Sequence, residues 1–195
     1  MRGMSICGLD EAGRGALAGP LVAAATVLNS QCSVLKLNDS KRLNKRQRER
    51  LYQQIIDSGA EVAVEIITAR QINNRGMGWA NKEVFKKLIK KIDADKYIVD
   101  GNLRIRVNGK SNRIKSVIKA DETRKCVMAA SIMAKVVRDE YMKKLHDKHM
   151  IYDWDKNAGY GTKKHIEAIK EFGMIHYHRS VWVTTALRKF SDRFV

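Results

Sequence analysis

The chain has 195 residues, enough to bury one good core and short for two domains. Hydrophobic residues make up 44% and charged residues 30%, which excludes a disordered chain, and no apolar run reaches the length of a membrane span. Lysine and arginine number 38 against 21 acidic residues, a net charge of +17 that points to a polyanionic partner, nucleic acid before membrane; a merely soluble basic surface is the alternative.

Met1-Arg2-Gly3-Met4 leads directly into a first strand at residues 4–9, so no cleavable signal is expected and a cytoplasmic location is the default. Strand-like sequence returns at Pro20-Leu-Val-Ala-Ala-Ala-Thr-Val-Leu28. Between the two lies a bend carrying Gly13, Gly15 and Gly19, which suits either a tight hairpin connection or a loop lying against a ligand. A polar loop, Leu37-Asn-Asp-Ser-Lys-Arg42, precedes Asn44, the natural N-cap of a helix over 45–57 with Leu51, Ile55 and Ile56 inward. Residues 61–68 alternate as a strand, and Ile72-Asn-Asn-Arg-Gly-Met-Gly78 breaks the pattern. A second helix is predicted over 79–92, with Phe85, Leu88, Ile89 and Ile92 inward and Trp79 as a packing residue at its start.

Lys96-Tyr-Ile-Val-Asp100 reads as a short strand ending on an acid. Residues 103–107 and 114–118 read as a strand pair around a polar turn at 108–112. The longest helical pattern, 122–146, puts Cys126, Ala130, Met133, Val137, Tyr141 and Leu145 inward, and Ala129, Ala130, Ser131 and Ala134 would let it lie close on a sheet. Thr162 can cap a helix through Phe172, and a last helix runs over about 183–193. Lys163, Lys164 and His165 in the first turn of the 162–172 helix fit either an anion site or an exposed helix start. Cys7, Cys32 and Cys126 lack metal-site spacing; Cys7 and Cys126 read as buried reduced thiols. Strands interleaved with helices in this order predict one α/β domain over 1–195 with a mixed sheet, its C-terminal part from about 150 being helical.

Acids on helix faces with nearby Lys or Arg are ordinary surface. Asp10, Glu11, Asp100 and Asp121 instead stand at strand ends or helix starts, which converge at one edge of an α/β sheet. Taken singly, Asp100 also suits a turn and Asp121 a helix cap. Converging carboxylates without His or Cys neighbours favour a hard cation such as Mg²⁺ or Mn²⁺. In a basic chain that combination suggests phosphodiester hydrolysis with two ions about 4 Å apart. No GxSxG, phosphate-binding GxxxxGK[ST] or strand-following GxGxxG motif is present.

Gly8-Leu-Asp-Glu-Ala-Gly-Arg-Gly15, Asp39-Ser-Lys41, Val99-Asp-Gly101, Lys119-Ala-Asp121, Ala129-Ala-Ser-Ile-Met-Ala-Lys-Val-Val-Arg-Asp139 and Gly159-Tyr-Gly-Thr162 together resemble bacterial ribonuclease HII, in family order from about residue 5 to residue 180. The resemblance implies an RNase H-like mixed sheet flanked by helices, with a helical C-terminal segment. It implies cleavage of RNA in RNA–DNA hybrids and of single ribonucleotides embedded in duplex DNA, leaving 3′-hydroxyl and 5′-phosphate ends. Asp10, Glu11, Asp100 and Asp121 match the family's catalytic, metal-binding acids, with Mn²⁺ or Mg²⁺ as cofactor. Gly13, Arg14 and Gly15 match the motif that reads the ribose 2′-hydroxyl, Tyr160 the tyrosine that stacks beneath the junction sugar, and Lys41 a backbone-phosphate contact. Ala16 replaces a proline common in the family, and Trp182 stands near His178-Arg179 where a serine–phenylalanine pair is usual. A monomer is the default expectation. The rival readings are a nuclease that ignores single ribonucleotides, a non-catalytic nucleic-acid-binding domain and a phosphoryl transferase acting on nucleotides.

Overall fold

The strand at the centre of the sheet is β1, Ile6–Ala12, where Cys7 to Asp10 are all buried, as expected of a strand covered on both faces. A computed structural model describes residues 4–34, 37, 40 and 42–191 of the chain. β1 pairs antiparallel with β2 (Leu21–Val27) and parallel with β4 (Lys96–Asp100), which in turn pairs parallel with β5 (Ile114–Val117). With β3 (Glu61–Ile67) beside β2, the sheet order is β3-β2-β1-β4-β5. This is the predicted mixed sheet.

Two compact units are distinguished. The first comprises Met1–Ala12, Val22–Ile66 and Asn81–Val136; the second comprises Gly13–Leu21, Ile67–Ala80 and Val137–Val195. In the first unit, α1 (Lys45–Asp57) begins at Asn44, whose side chain accepts from the Gln47 N–H while the Gln47 side chain accepts from the Asn44 N–H. This capping box satisfies two donors that a helix start leaves open. Leu51 and Ile55 of α1 join Ala12 and Ala24 of the sheet, and Ala129, Ala130, Met133 and Ala134, in one core cluster.

Those alanines belong to α5 (Lys125–His146), which lies close on the sheet because its partners are small. A Cβ on Gly8 would come within 2.3 Å of the Cys126 carbonyl carbon, and Thr26 Oγ1 donates to the Cys126 carbonyl at 2.6 Å. Cys7 and Cys126 are free thiols, and burial pushes the Cys7 thiol up to about 12. Met77–Lys91 forms α3, with Phe85, Leu88 and Ile89, and Ile92 just beyond its end, buried as predicted.

Several local readings need correction: Ile56 of α1, expected inward, is exposed. Residues 103–107 are not a strand: Ile105 and Val107 are buried as their alternation suggests, yet Ser111 Oγ ties down both the N–H and the carbonyl of Val107. β5 pairs in parallel with β4 instead of folding back on that segment. The region read as a break, from Ile72, lies largely in α2 (Ala69–Arg75), started by a Thr68–Gln71 capping box and stopped at Gly76 with φ 79°. The long predicted helix is divided at Arg124, whose backbone is extended, into α4 (Ala120–Thr123) and α5.

In the second unit, Leu17, Ala18, Met142, Leu145, Tyr152, Trp154, Ile166, Ile169 and Val183 form a separate core. It is closed by α6 (Trp154–Asn157), α7 (Lys163–Phe172) and α8 (Ser180–Ser191), with Trp182 half-buried against it. Thr162 caps α7 by accepting from the His165 N–H. Among the described residues, no helix is long and apolar enough to cross a membrane.

Candidate active site

Four acids are expected to converge, and the register of the sheet determines how far they do. β1 and β4 run parallel with Leu9 opposite Val99, so the next rung places Asp10 beside Asp100. Asp10 is 6% exposed. Burial raises its carboxyl well above the ordinary carboxylate range, the charge of Glu11 adds to this, and that of Asp100 adds further. A hydrogen bond from Ser131 opposes the rise, as does one from the Glu11 N–H at 2.7 Å. The Ser131 hydroxyl is itself 2.8 Å from that of Ser40, so the Ser of the Asp39-Ser-Lys41 motif supports the group that supports Asp10.

Asp100 Oδ1 accepts from the Ala120 N–H at 2.7 Å, which draws the start of α4 to the end of β4. Asp121 is the next residue and is 2% exposed. Lys119, just before, takes a left-handed conformation (φ 57°), which turns the chain from β5 into α4. Glu11 and Asp100 therefore both act electrostatically on Asp10, and Asp121 adjoins the residue bonded to Asp100. Among the described residues no three His, Cys, Asp or Glu side chains enclose a common point suited to a metal ion. The donor set fits a hard divalent cation: it is carboxylate oxygen, and Asp10 is an anion made unfavourable by burial and like charge, which a cation relieves.

The glycine-rich bend belongs to the second unit. Gly13 has φ 90°, and a Cβ there would lie 1.9 Å from Arg138 Nε. Arg14 and Gly15 are exposed, and a Cβ at Gly15 would meet nothing within 4 Å. Ala16 donates its N–H to the Gly13 carbonyl at 3.3 Å, a bond that a proline at this position could not make. The Gly159 carbonyl accepts from both the Leu17 and Ala18 N–H groups, which brings Tyr160 to the same loop. The Tyr160 ring is 36% exposed, with the Arg138 guanidinium 5.2 Å from its centroid. Within this unit the structure brings together Gly13, Arg14, Gly15 and Tyr160. Lys41 lies outside the described residues.

His165, which the sequence groups with Lys163 and Lys164 as a candidate anion site, is fully buried. Its Nδ1 is 2.9 Å from the Tyr160 carbonyl and its Nε2 accepts from Trp154 Nε1 at 3.0 Å. It supports the tyrosine loop and does not face solvent. Lys163 pairs with Glu167 at 3.8 Å on the exposed side of the helix.

Two residues that sequence pattern does not reveal are Arg138 and Arg179, both fully buried. Val137 and Tyr141, expected inward, are only half-buried, while the neighbouring Arg138 and Met142 are buried instead.

A family model described as Ribonuclease HII matches residues 7–185. A ribonuclease HII of Clostridium perfringens is 40% identical over 187 residues, which span 93% of this chain and 68% of that relative. A chain of the PCNA:RNase HII complex from Archaeoglobus fulgidus is similar in structure with a TM-score of 0.81 and 26% identity, over 92% of this chain and 95% of that one. The ribonuclease H2 from Pyrococcus horikoshii OT3 gives a TM-score of 0.77 at 28% identity, over 98% of this chain and 99% of that one. The five-stranded mixed sheet with flanking helices is thus the RNase H fold, and the chain belongs to the ribonuclease HII family of metal-dependent endoribonucleases, which cut the RNA of RNA–DNA hybrids.

Proposed function

We propose that this protein cleaves both RNA–DNA hybrids and single ribonucleotides embedded in duplex DNA, by two-metal-ion hydrolysis that leaves 3′-hydroxyl and 5′-phosphate ends. The observation that carries this reading is the buried Asp10 carboxylate under the combined charge of Glu11 and Asp100, at the end of the central strand. Asp10, Glu11, Asp100 and Asp121 would hold the ions, Mg²⁺ or Mn²⁺. When bound, two such ions supply Lewis acidity at the phosphate, activating a water and stabilising the leaving oxygen.

The chain's own part is placement. Asp10 is held on β1 by Ser131, and Asp100 is fixed by the Ala120 N–H, so the acids start from defined positions. Gly13, Arg14 and Gly15 would read the ribose 2′-hydroxyl through backbone groups, the means by which a protein distinguishes RNA from DNA. The open space at Gly15 suits close approach of a sugar. Tyr160 would stack beneath the junction sugar. Lys41 would contact backbone phosphate, and the net charge of +17 would supply salt-dependent affinity for the duplex. The protein would act as a monomeric, cytoplasmic, single-domain enzyme of ribonucleotide removal.

Cleavage of three matched duplexes tests this: one with a single ribonucleotide, one a continuous hybrid and one all DNA, each with Mg²⁺, with Mn²⁺ and with EDTA. The proposal predicts cutting of the first two in either metal and of none in EDTA, with the single-ribonucleotide strand cut on the 5′ side of the ribonucleotide. An intact single-ribonucleotide duplex beside a cut hybrid would contradict the broader substrate range.

A further inference from the structure

Arg138 and Arg179 are fully buried, and neither forms an ion pair with a carboxylate among the described residues. Burial pushes both guanidinium groups down from their ordinary range, and the charge of Arg138 helps bring Arg179 to about 9; both remain charged at neutral pH. Burying two like charges side by side is unfavourable, and apolar residues of similar volume usually serve stability better. Their donors show what the pair does instead.

Arg138 Nε donates to the Pro20 carbonyl at 3.1 Å and Nη2 to that of Ala18 at 3.3 Å. Arg179 Nε donates to the Gly19 carbonyl at 3.0 Å, while Nη1 reaches those of Gly13 at 2.7 Å and Arg14 at 3.0 Å. Among the described residues, Arg138 Nη1 and Arg179 Nη2 have no hydrogen-bond partner. A trans peptide sets its C=O and N–H antiparallel. With the Gly13 and Arg14 carbonyls turned onto Arg179, the N–H groups of Arg14 and Gly15 point the opposite way, on residues that are exposed. Positive charge behind these peptides also polarises them, making the outward N–H groups better donors.

We infer that Arg138 and Arg179 are positioning residues that preset the Gly13-Arg14-Gly15 loop as a pair of outward backbone donors for a hydroxyl oxygen of the substrate. Arg138 also holds the Tyr160 ring from behind. The closeness of Arg138 Nε to Gly13 accounts for a glycine at that position beyond its φ of 90°. This inference rests on the proposal that the loop reads the ribose.

Arg179→Lys and Arg138→Lys keep the charge but lose the planar fork that bridges several carbonyls. Binding in EDTA, where nothing is cut, is measured by fluorescence anisotropy on a duplex with one ribonucleotide and on the same duplex in all DNA. The variants are expected to lose about tenfold of the preference for the ribonucleotide duplex, while all-DNA affinity stays within about twofold. A merely structural defect would lower both affinities together and leave the ratio unchanged, which would overturn the inference. Relaxation of the Gly13, Arg14 and Gly15 amides in the unaltered protein supplies a test independent of variant folding. Order parameters as high as those of β1 support a preset loop; values below about 0.6 overturn it. If the unaltered protein shows no ribonucleotide preference, the loop's assignment as ribose reader fails and the inference falls with it. If the preference is present and survives in folded variants, the positioning role alone fails.

Discussion

His165 Nε2 and His178 Nε2 lie 3.2 Å apart, and Trp154 Nε1 lies 3.0 Å from the same His165 nitrogen. An indole N–H only donates, so His165 Nε2 is the acceptor and its proton sits on Nδ1, donating to the Tyr160 carbonyl. The Ile175 N–H donates to His178 Nδ1 at 3.0 Å, which leaves the His178 proton on Nε2, facing His165. Both rings are neutral in this arrangement. The chain of bonds ends on the residue proposed to stack against substrate.

Acid should therefore loosen the second unit. Burial, followed by the charge of His165, lowers His178 to about 4 from 6.5. Because the folded-state value is depressed, the stabilisation is complete above pH 6.5 and is lost as the pH falls from there toward 4. Each pH unit between the ordinary and folded values corresponds to about 1.4 kcal/mol, so His178 contributes roughly 3 kcal/mol, and the lowered His165 acts in the same direction. Hydrogen exchange of the amides near Tyr160, followed from pH 7 to pH 4.5 and corrected for intrinsic rates, should show protection falling with pH. Unchanged protection would contradict the neutral-pair assignment.

Asp10→Asn should stabilise the protein in EDTA, because it removes a buried anion crowded by Glu11 and Asp100. Each kcal/mol gained raises the thermal midpoint by about 2–4 °C in a chain of this size. Added Mn²⁺ should raise the midpoint of the unaltered protein and have little effect on the variant. A variant less stable than the parent in EDTA would count against the description of Asp10 as a strained acid.

Gly8→Ala should be costly although Gly8 is assigned no contact with substrate. The new methyl would lie 2.3 Å from backbone at Cys126, and backbone at the start of α5 cannot yield as a flexible side chain can. Overpacking of this kind costs about 1–3 kcal/mol or more. Chemical denaturation should show a lower midpoint at unchanged slope; a loss below about 0.5 kcal/mol would mean that α5 is less tightly seated than described.

Tyr160→Ala, which removes the ring proposed to stack beneath the junction sugar, should weaken cleavage at a single ribonucleotide by about tenfold, roughly 1.4 kcal/mol, and leave binding to all-DNA duplex nearly unchanged. Equal losses on both would assign Tyr160 to general packing.

Much of this architecture is legible in the residues. Asn44 as a cap, the inward stripe Phe85, Leu88, Ile89 and Ile92, and the small face of α5 all follow from local periodicity and are found as predicted. The acids at strand ends stand out in the sequence as a group, since Asp100 taken singly also suits a turn and Asp121 a helix cap. The segment 103–107 reads wrongly as a strand because alternation reports burial and not pairing; its apolar residues are buried without a strand partner. Thr68–Gln71 does carry a readable capping signal, which the glycines that follow obscure. Arg138 and Arg179 escape notice for a different reason. What makes their burial tolerable is a set of carbonyls from residues 13–20, more than a hundred positions away, and no local pattern carries that information.

At the heart of the proposed function is the assignment of Asp10, Glu11, Asp100 and Asp121 as the acids that would hold divalent metal where nucleic acid is cut at ribonucleotides. The sharpest test is the single-turnover rate on a duplex with one ribonucleotide, at saturating Mg²⁺ and then Mn²⁺, for the unaltered protein and for Asp10→Asn. A loss of at least about a thousandfold is expected in both metals, with the folded state and duplex affinity retained, as when a ligand to the reacting centre is removed. A folded Asp10→Asn variant that cuts at the parental rate would contradict the assignment.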